Sequence, residues 1–299
     1  MIHKATTKQN ERMRLAVQRE TEVLKHIRHP SLVRLYESFE TREHECLVLE
    51  YVAGGELFDL LAQRHQDFTE VFVRRVFCGL LDVVKWMHSI CLVHRDIKLE
   101  NALLTVNPFP LPDSIYDLPN PLVKLSDFGL SRFITPSAPT LRTRCGSEEY
   151  AAPELITGKD YDGRKTDAWA LGVVLFTLLT GAMPFLYGET TFSPRSSTSS
   201  MSRRSYLMRI AKAEYHWPTE EEDPEQPFPI PDSAKQLVAK FLARDPAQRA
   251  SLEEVWETDE WLNSGPGKIN TRDWAGRKDE IWVREGEQHP LLRSEVDIA

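Results

Sequence analysis

The sequence predicts an α+β fold in two parts, a small strand-containing lobe followed by a larger, mainly helical one. Three observations carry that expectation. Residues 10–27 place Met13, Val17, Leu24 and Ile27 at helical spacing, and two strand-like runs follow, SLVRLYESFE and HECLVLEYV, around a polar turn. Gly54-Gly55 then breaks the pattern where a hinge between the parts would sit. Beyond it, residues 56–90 and most of 153–262 carry helical apolar spacing.

The elements follow in order. Pro30 stops the first helix. ELFDLLAQRH reads as a short helix. EVFVRRVFCGLLDVVKWMHSI reads as a long one, striped by Phe72, Val76, Leu80, Val83 and Met87. Residues 91–130 alternate short strands with polar turns, interrupted by VNPFPLPDSIYDLPNP at 106–121. Its five prolines remove amide donors and fix φ, so it continues neither helix nor sheet and reads as a loop insertion. The apolar run at 169–179 is too short to span a bilayer, and Gly181 and Pro184 follow, so it reads as a buried core helix.

Within FSPRSSTSSMSRRS (192–205) lies a second insertion, at 193–205, with the composition of a mobile segment. Its Arg203-Arg204 pair leaves two readings, a plain disordered insertion or a site of regulation by phosphorylation. An acidic stretch, PTEEEDPEQP, follows at 218–227. Residues 263–299, patternless apart from Trp274 and Trp282, read as a C-terminal extension. The domain is thus expected over 1–262, with 1–53 as a partial N-terminal lobe and 54–262 as the C-terminal lobe.

Bulk properties exclude several classes. A net charge of -8 argues against a dedicated nucleic-acid binder, which needs a basic face. With 41% apolar and 27% charged residues, the chain reads as globular, without a membrane span. Cys46, Cys78, Cys91 and Cys145 lack metal-site or redox spacing and fit a reducing compartment. The N-terminus is basic and amphipathic, without a signal peptide's apolar core. Cytoplasm is the expected location, with the nucleus open.

Chemistry concentrates in two stretches. In VHRDIKLENALL, Asp96 can accept or orient a hydroxyl proton, Lys98 can neutralise a phosphoryl group, and Asn101 offers an oxygen to a hard cation. In LSDFGLS, Asp127 offers a carboxylate to metal and Gly129 permits a sharp turn. Each triplet alone is weak, because a lone Asp-Phe-Gly is usually a turn. Five motifs in one order are not: His94-Arg95-Asp96 with Asn101, Asp127-Phe128-Gly129, Ala152-Pro153-Glu154, Arg249 in RDPAQR, and Asp167 in TDAWALG.

In these motifs the chain resembles a eukaryotic Ser/Thr protein kinase over about residues 1–262, closest to the calmodulin-dependent and AMP-activated group. The resemblance implies the two-lobed protein-kinase-like fold, with ATP and Mg2+ bound between the lobes. Asp96, Lys98, Asn101 and Asp127 would be catalytic, with Asn101 and Asp127 as metal ligands. Leu49 would be gatekeeper. The backbone at Glu50 and Val52 would bond adenine, Leu103 would line the nucleotide site, and Glu56 would meet the ribose.

The lysine two residues after Asp96 is the Ser/Thr pattern, and Ser147 resembles the hydroxyl residue that bonds the catalytic Asp and Lys. Glu56 and Glu100 would either attract arginine upstream of the target residue in a protein substrate or be ordinary solvated surface. Arg249 matches the arginine that pairs with Glu154. LRTRCGS resembles an activation segment with Thr143 as the residue phosphorylated by an upstream kinase, and Arg95 and Arg132 would receive its phosphate. Asn101 and Asp127 lie farther apart than is usual in the family. The proline-rich insertion accounts for the excess and is expected to bulge from the hairpin between them.

The first helix resembles the family's regulatory helix, with Glu20 ten residues before Pro30. Leu24, Leu35, Phe128 and His94 match the family's regulatory spine. Glu20 falls on the inward stripe, where a carboxylate is costly unless paired or solvated. In the family its partner is a strand lysine that also holds the ATP phosphates. Lys4 is a candidate, but Ile2 stands where the family places alanine. The favoured reading makes MIHK the tail of that strand, with the lysine in a preceding stretch of about 30–40 residues, roughly a three-strand unit. The small sheet would then show an open edge. Glu20 is expected to turn toward solvent or to borrow Lys4, and phosphotransfer by this polypeptide is expected to be very weak or absent. The alternative is a pseudokinase acting as a binding or scaffolding protein.

Overall fold

The computed structural model describes residues 2–3, 8–42, 44–186, 202–219 and 221–265. The first lobe is one helix on a three-stranded antiparallel sheet. α1 (Lys8–His26) packs beside β2 (Leu35–Glu40) and β3 (His44–Leu49), and β1 (Ile2–His3) adds to β3 opposite Glu45 and His44, giving the order β1-β3-β2. Val23, Leu24 and Ile27 are buried. Their helical spacing explains why the helix lies on the sheet. Residues 46–49 pair with β2 alone among the described residues, and Val48 and Leu49 stay 41% and 37% exposed. This is the open edge expected from the sequence.

The second lobe is built on α3 (Glu70–Ser89) and α5 (Gly163–Thr180). Asp162 caps α5 by accepting from Arg164 N, and Gly181 ends it at φ 70. Its interior is apolar on every face, from Trp169 to Leu179, so it is buried all round. α2 (Leu57–Arg64), α4 (Pro153–Thr157), α7 (Asp232–Phe241), α8 (Leu252–Thr258) and α9 (Glu260–Asn263) complete the helical shell. Among the described residues no helix is long and apolar enough to cross a membrane.

After β4 (Leu92–Val93), which leads into the loop from His94, β5 (Ala102–Leu104) and β6 (Val123–Leu125) form a hairpin that carries Asn101 before it and Asp127 after it. The proline-rich insertion leaves from this hairpin and folds back. Phe109 packs against Phe68 and Phe72, with the Arg64 guanidinium 5.2 Å from its ring centre. Arg75 donates to the carbonyls of Leu118 and Pro119 at 2.8 and 3.0 Å.

One expectation needs correction. The serine tract does not run as an insertion to residue 205. Ser202 caps α6 (Arg203–Lys212) by accepting from Ser205 N, and Arg203 forks onto Glu148 at 2.8 Å. A short polar side chain followed by helix formers is a cap, which composition alone hides. Lys4, residues 193–201 of the tract, and residues 266–299 with Trp274 and Trp282 lie outside the described residues.

Candidate active site

The loop from His94 to Asn101 is shaped from beneath by one carboxylate. Asp167, on the buried α5, accepts from His94 N at 2.9 Å, Arg95 N at 2.8 Å and His88 Nε2 at 2.9 Å. Arg95 takes φ 70, a left-handed conformation costly for a residue with a Cβ. The three bonds to Asp167 hold it there.

The loop turns Asp96 toward the segment that precedes α4. Asp96 Oδ1 accepts from Ser147 N at 2.9 Å and Ser147 Oγ at 3.1 Å, and its Oδ2 lies 3.0 Å from Lys98 Nζ. Lys98 also donates to Ser147 Oγ at 3.0 Å. Burial pulls the Lys98 ammonium down, but its bond to Asp96 and the charges of Asp96, Glu100 and Asp127 outweigh this and raise its pKa. It stays charged at neutral pH, as a group meant to meet a phosphoryl oxygen must.

Asn101 and Asp127 are joined through Ser126. Asn101 Nδ2 donates to Asp96 O at 2.9 Å, which leaves its Oδ1 as the oxygen for a cation. Ser126 N and Oγ both donate to Asn101 O, at 2.9 and 3.0 Å. Asp127 sits at φ 61, its Oδ1 taking Gly129 N at 3.2 Å. Among the described residues no three His, Cys, Asp or Glu side chains cluster tightly enough to hold a metal unaided. Two protein oxygens completed by phosphates and water suit magnesium.

Two of the four residues matched to the spine are in direct contact. The His94 and Phe128 rings meet edge to face at 5.2 Å, both fully buried, with Leu24 in the same core and Leu35 packed on it. Burial, above all, keeps the His94 imidazole neutral.

Glu20 is half-buried rather than turned toward solvent, and Lys4, its other expected partner, lies outside the described residues. Glu20 Oε1 accepts from Phe128 N at 3.4 Å, and among the described residues no cation pairs with it. The amide of a turn residue became available through tertiary packing, which spacing in sequence cannot reveal. Burial first, and then the Asp127 charge, raise the Glu20 pKa against the lowering effect of the Phe128 amide. The folded chain therefore holds this proton more tightly than the unfolded one, so stability falls as pH rises from the ordinary value of 4.5 through the folded pKa. Glu20→Gln keeps the acceptor and removes the charge. It is expected to melt higher than the parent at about pH 7.5 and equally at about pH 4, by parallel thermal denaturation.

Arg19, Arg95 and Arg132 lie within electrostatic reach of one another, and Arg95 also bonds the Thr143 backbone. Arg95 donates to Thr143 O at 2.8 Å and to Leu130 O at 3.4 Å, and Tyr161 Oη donates to Thr143 O at 2.7 Å. Arg19 donates to Gly129 O at 3.2 Å. Burial, then the neighbouring charges of Arg95 and Arg132, lower its pKa. Sequence reasoning missed Arg19, whose one signal was its place beside Glu20. It also missed His88.

The other expected residues stand apart from this network. Leu49 is partly exposed, and Val52 is half-buried. Glu56 is exposed, its backbone bridged to Leu103. Glu100 accepts from Tyr150 Oη at 3.3 Å. The Glu50 side chain is engaged by Lys124 at 2.8 Å and by Arg34 N at 3.1 Å. At the base of the segment, Arg249 reaches Glu154 at 2.8 and 3.2 Å.

Known proteins share this arrangement of motifs. The family model described as protein kinase domain matches residues 1–262. Serine/threonine-protein kinase ppk27 of Schizosaccharomyces pombe is 38% identical over 219 residues, 72% of this chain and 52% of that protein. CBL-interacting protein kinase 8 of Oryza sativa subsp. japonica is 36% identical over 246 residues, 82% of this chain and 47% of that protein. The chain spans about half the length of these curated relatives. With its motifs folded into one site and the family matched across both lobes, the chain belongs to the protein kinase domain family.

Proposed function

We propose that the chain is a serine/threonine protein kinase that moves the γ-phosphoryl group of ATP to a Ser or Thr hydroxyl of a protein. The observation that carries this reading is the joint hold of Ser147 on Asp96 and Lys98, with Asn101 and Asp127 tied in through Ser126. Asp96 orients the acceptor hydroxyl and receives its proton. Lys98 faces the charge of the phosphoryl group as the new O–P bond forms and the β,γ-bridging bond breaks, releasing ADP. Asp127 and Asn101 would hold Mg2+, which when bound would supply charge neutralisation for the phosphates. The backbone at Glu50 and Val52, with Leu49, Leu103 and Glu56, receives the nucleoside. Glu56 and Glu100 favour substrates with basic residues upstream of the target.

A second reading, a binding or scaffolding protein without phosphotransfer, rests on one observation, the Glu20 carboxylate bonded to the Phe128 amide with no cation on it among the described residues. The two readings part on transfer from Mg-ATP to a serine peptide with arginine upstream, with Asp96→Asn as control. Slow transfer lost in the control supports the kinase. Mg-nucleotide binding without any transfer supports the scaffold.

Thr143 is proposed as a regulatory phosphorylation site. A phosphate of nearly two negative charges would draw in Arg19, Arg95 and Arg132. Phosphorylated chain is expected to melt several degrees higher than unphosphorylated chain, and Arg19→Ala to remove about half of that gain or more. An unchanged melting temperature on phosphorylation would rule the cluster out as the phosphate's receiver.

A further inference from the structure

The segment that joins the lobes is strung between two anchors on a single hairpin. Its far anchor is backbone. Gly54 N donates to Leu104 O and Leu104 N to Gly55 O, both at 2.8 Å. A Cβ at Gly54 would collide with the carbonyl oxygens of Leu104 and Val106, so the chain lies against β5 without intervening side chain. Its near anchor is a pair of side chains. Lys124, on β6, reaches the Glu50 carboxylate at 2.8 and 2.9 Å and the Leu32 carbonyl at 3.5 Å. The same carboxylate takes Arg34 N at 3.1 Å, while Glu50 N donates to Arg34 O at 2.8 Å.

Residues 31–34 are themselves stitched to β6, Leu125 N to Ser31 O at 2.8 Å and Val33 N to Leu125 O at 3.0 Å. Three pieces of chain therefore meet at one ion pair: the turn after α1, the end of β3, and the strand that delivers Asp127. Between the anchors only residues 51–53 span, and Tyr51 is 88% exposed. Lys124 and Glu50 are 14% and 22% exposed, shielded enough for the pair to outlast ordinary salt. Burial, then the charge of Lys124, hold the nearby His29 neutral with a pKa of about 4, so Glu50 is the ammonium's charge partner.

We propose that Glu50 and Lys124 are a positioning pair, a releasable side-chain anchor that sets the lobe-joining segment in register with the strand bearing Asp127. The backbone anchor at Gly54 has no such release. In the kinase reading, on which the nucleotide arm of the test rests, the pair aligns the adenine-facing backbone at residues 50–52 with the metal ligands.

The test is amide hydrogen exchange on the full ligand-free chain, read by mass spectrometry. In Lys124→Met, residues 50–53 are expected to exchange roughly tenfold faster or more, with residues 54–55 and 102–104 unchanged. In Glu50→Gln, residues 31–34 and 123–127 are expected to quicken in turn. The paired substitution Glu50→Gln with Lys124→Met leaves no lone buried charge and should show both effects without global unfolding. Unchanged exchange at 50–53 in folded variants, or an equal rise throughout both lobes, would overturn the proposal.

Titration of Mg-ADP gives the second readout, a roughly fivefold or greater loss of affinity in Lys124→Met. Charge reversal, Glu50→Lys with Lys124→Glu, should recover part of it, and a merely structural role would not give that recovery. If the parent chain binds no Mg-ADP, the kinase reading fails, while the exchange data still decide the anchor.

Discussion

Arg249→Met is expected to destabilise the chain by about 3–5 kcal/mol, the usual cost of orphaning one member of a buried ion pair. Arg249 is 1% exposed and Glu154 5%. The guanidinium reaches Glu154 at 2.8 and 3.2 Å, the Lys165 carbonyl at 2.6 Å and the Ala243 carbonyl at 3.2 Å, and lies 5.1 Å from the centre of the Trp169 ring. Methionine fills much of the volume and satisfies none of these acceptors. The melting temperature should fall on the order of 10 °C for a chain of this size. Replacing Glu154 by Gln in the same molecule should return part of that loss, since the stranded charge is gone. Differential scanning calorimetry reads both. A loss below about 1 kcal/mol in Arg249→Met would show that the pair behaves as if it were exposed.

Asp127→Asn is expected to weaken magnesium-dependent nucleotide binding roughly 100-fold or more, because outer partners of a metal ligand alone are worth about 10–100-fold. The substitution keeps the shape and the bond from Gly129 N. It also removes the charge that helps raise the Glu20 pKa, so Glu20 should titrate closer to the ordinary carboxylate range in the variant. Calorimetric titration with Mg-ATP, with and without chelator, measures the first effect. Carboxylate-resolved NMR of Glu20 measures the second. Equal affinity in parent and variant would remove Asp127 from the metal site.

Much of this was legible in the sequence, for a physical reason. Each motif is local: Asp96, Lys98 and Asn101 lie on one loop, and Asp127 and Gly129 on one turn. The α3 stripe declares itself by its period, and the core of α5 by its long, mostly apolar run. What stayed hidden depends on contacts between distant segments. Glu20 and Phe128 are 108 residues apart, and no periodicity relates them. Lys124 looks like one more strand lysine until Glu50 is brought beside it. The proline-rich insertion was readable only as neither helix nor strand, yet Phe109 and Arg75 make it part of the packed lobe. The start of α6 was masked by the composition of the serine tract, where Ser202 acts as a cap.

Asp96 is expected to drive phosphotransfer. The measurement is a long time course of label moving from Mg-[γ-32P]ATP to a serine peptide with arginine upstream, at high protein concentration. Labelled phosphoserine is expected to form slowly, with Glu20 on Phe128 N and no cation paired to it among the described residues, and to fall about 100-fold or more in Asp96→Asn. Labelling that proceeds equally in the parent and in Asp96→Asn would contradict it, as would a parent that binds the nucleotide and transfers nothing.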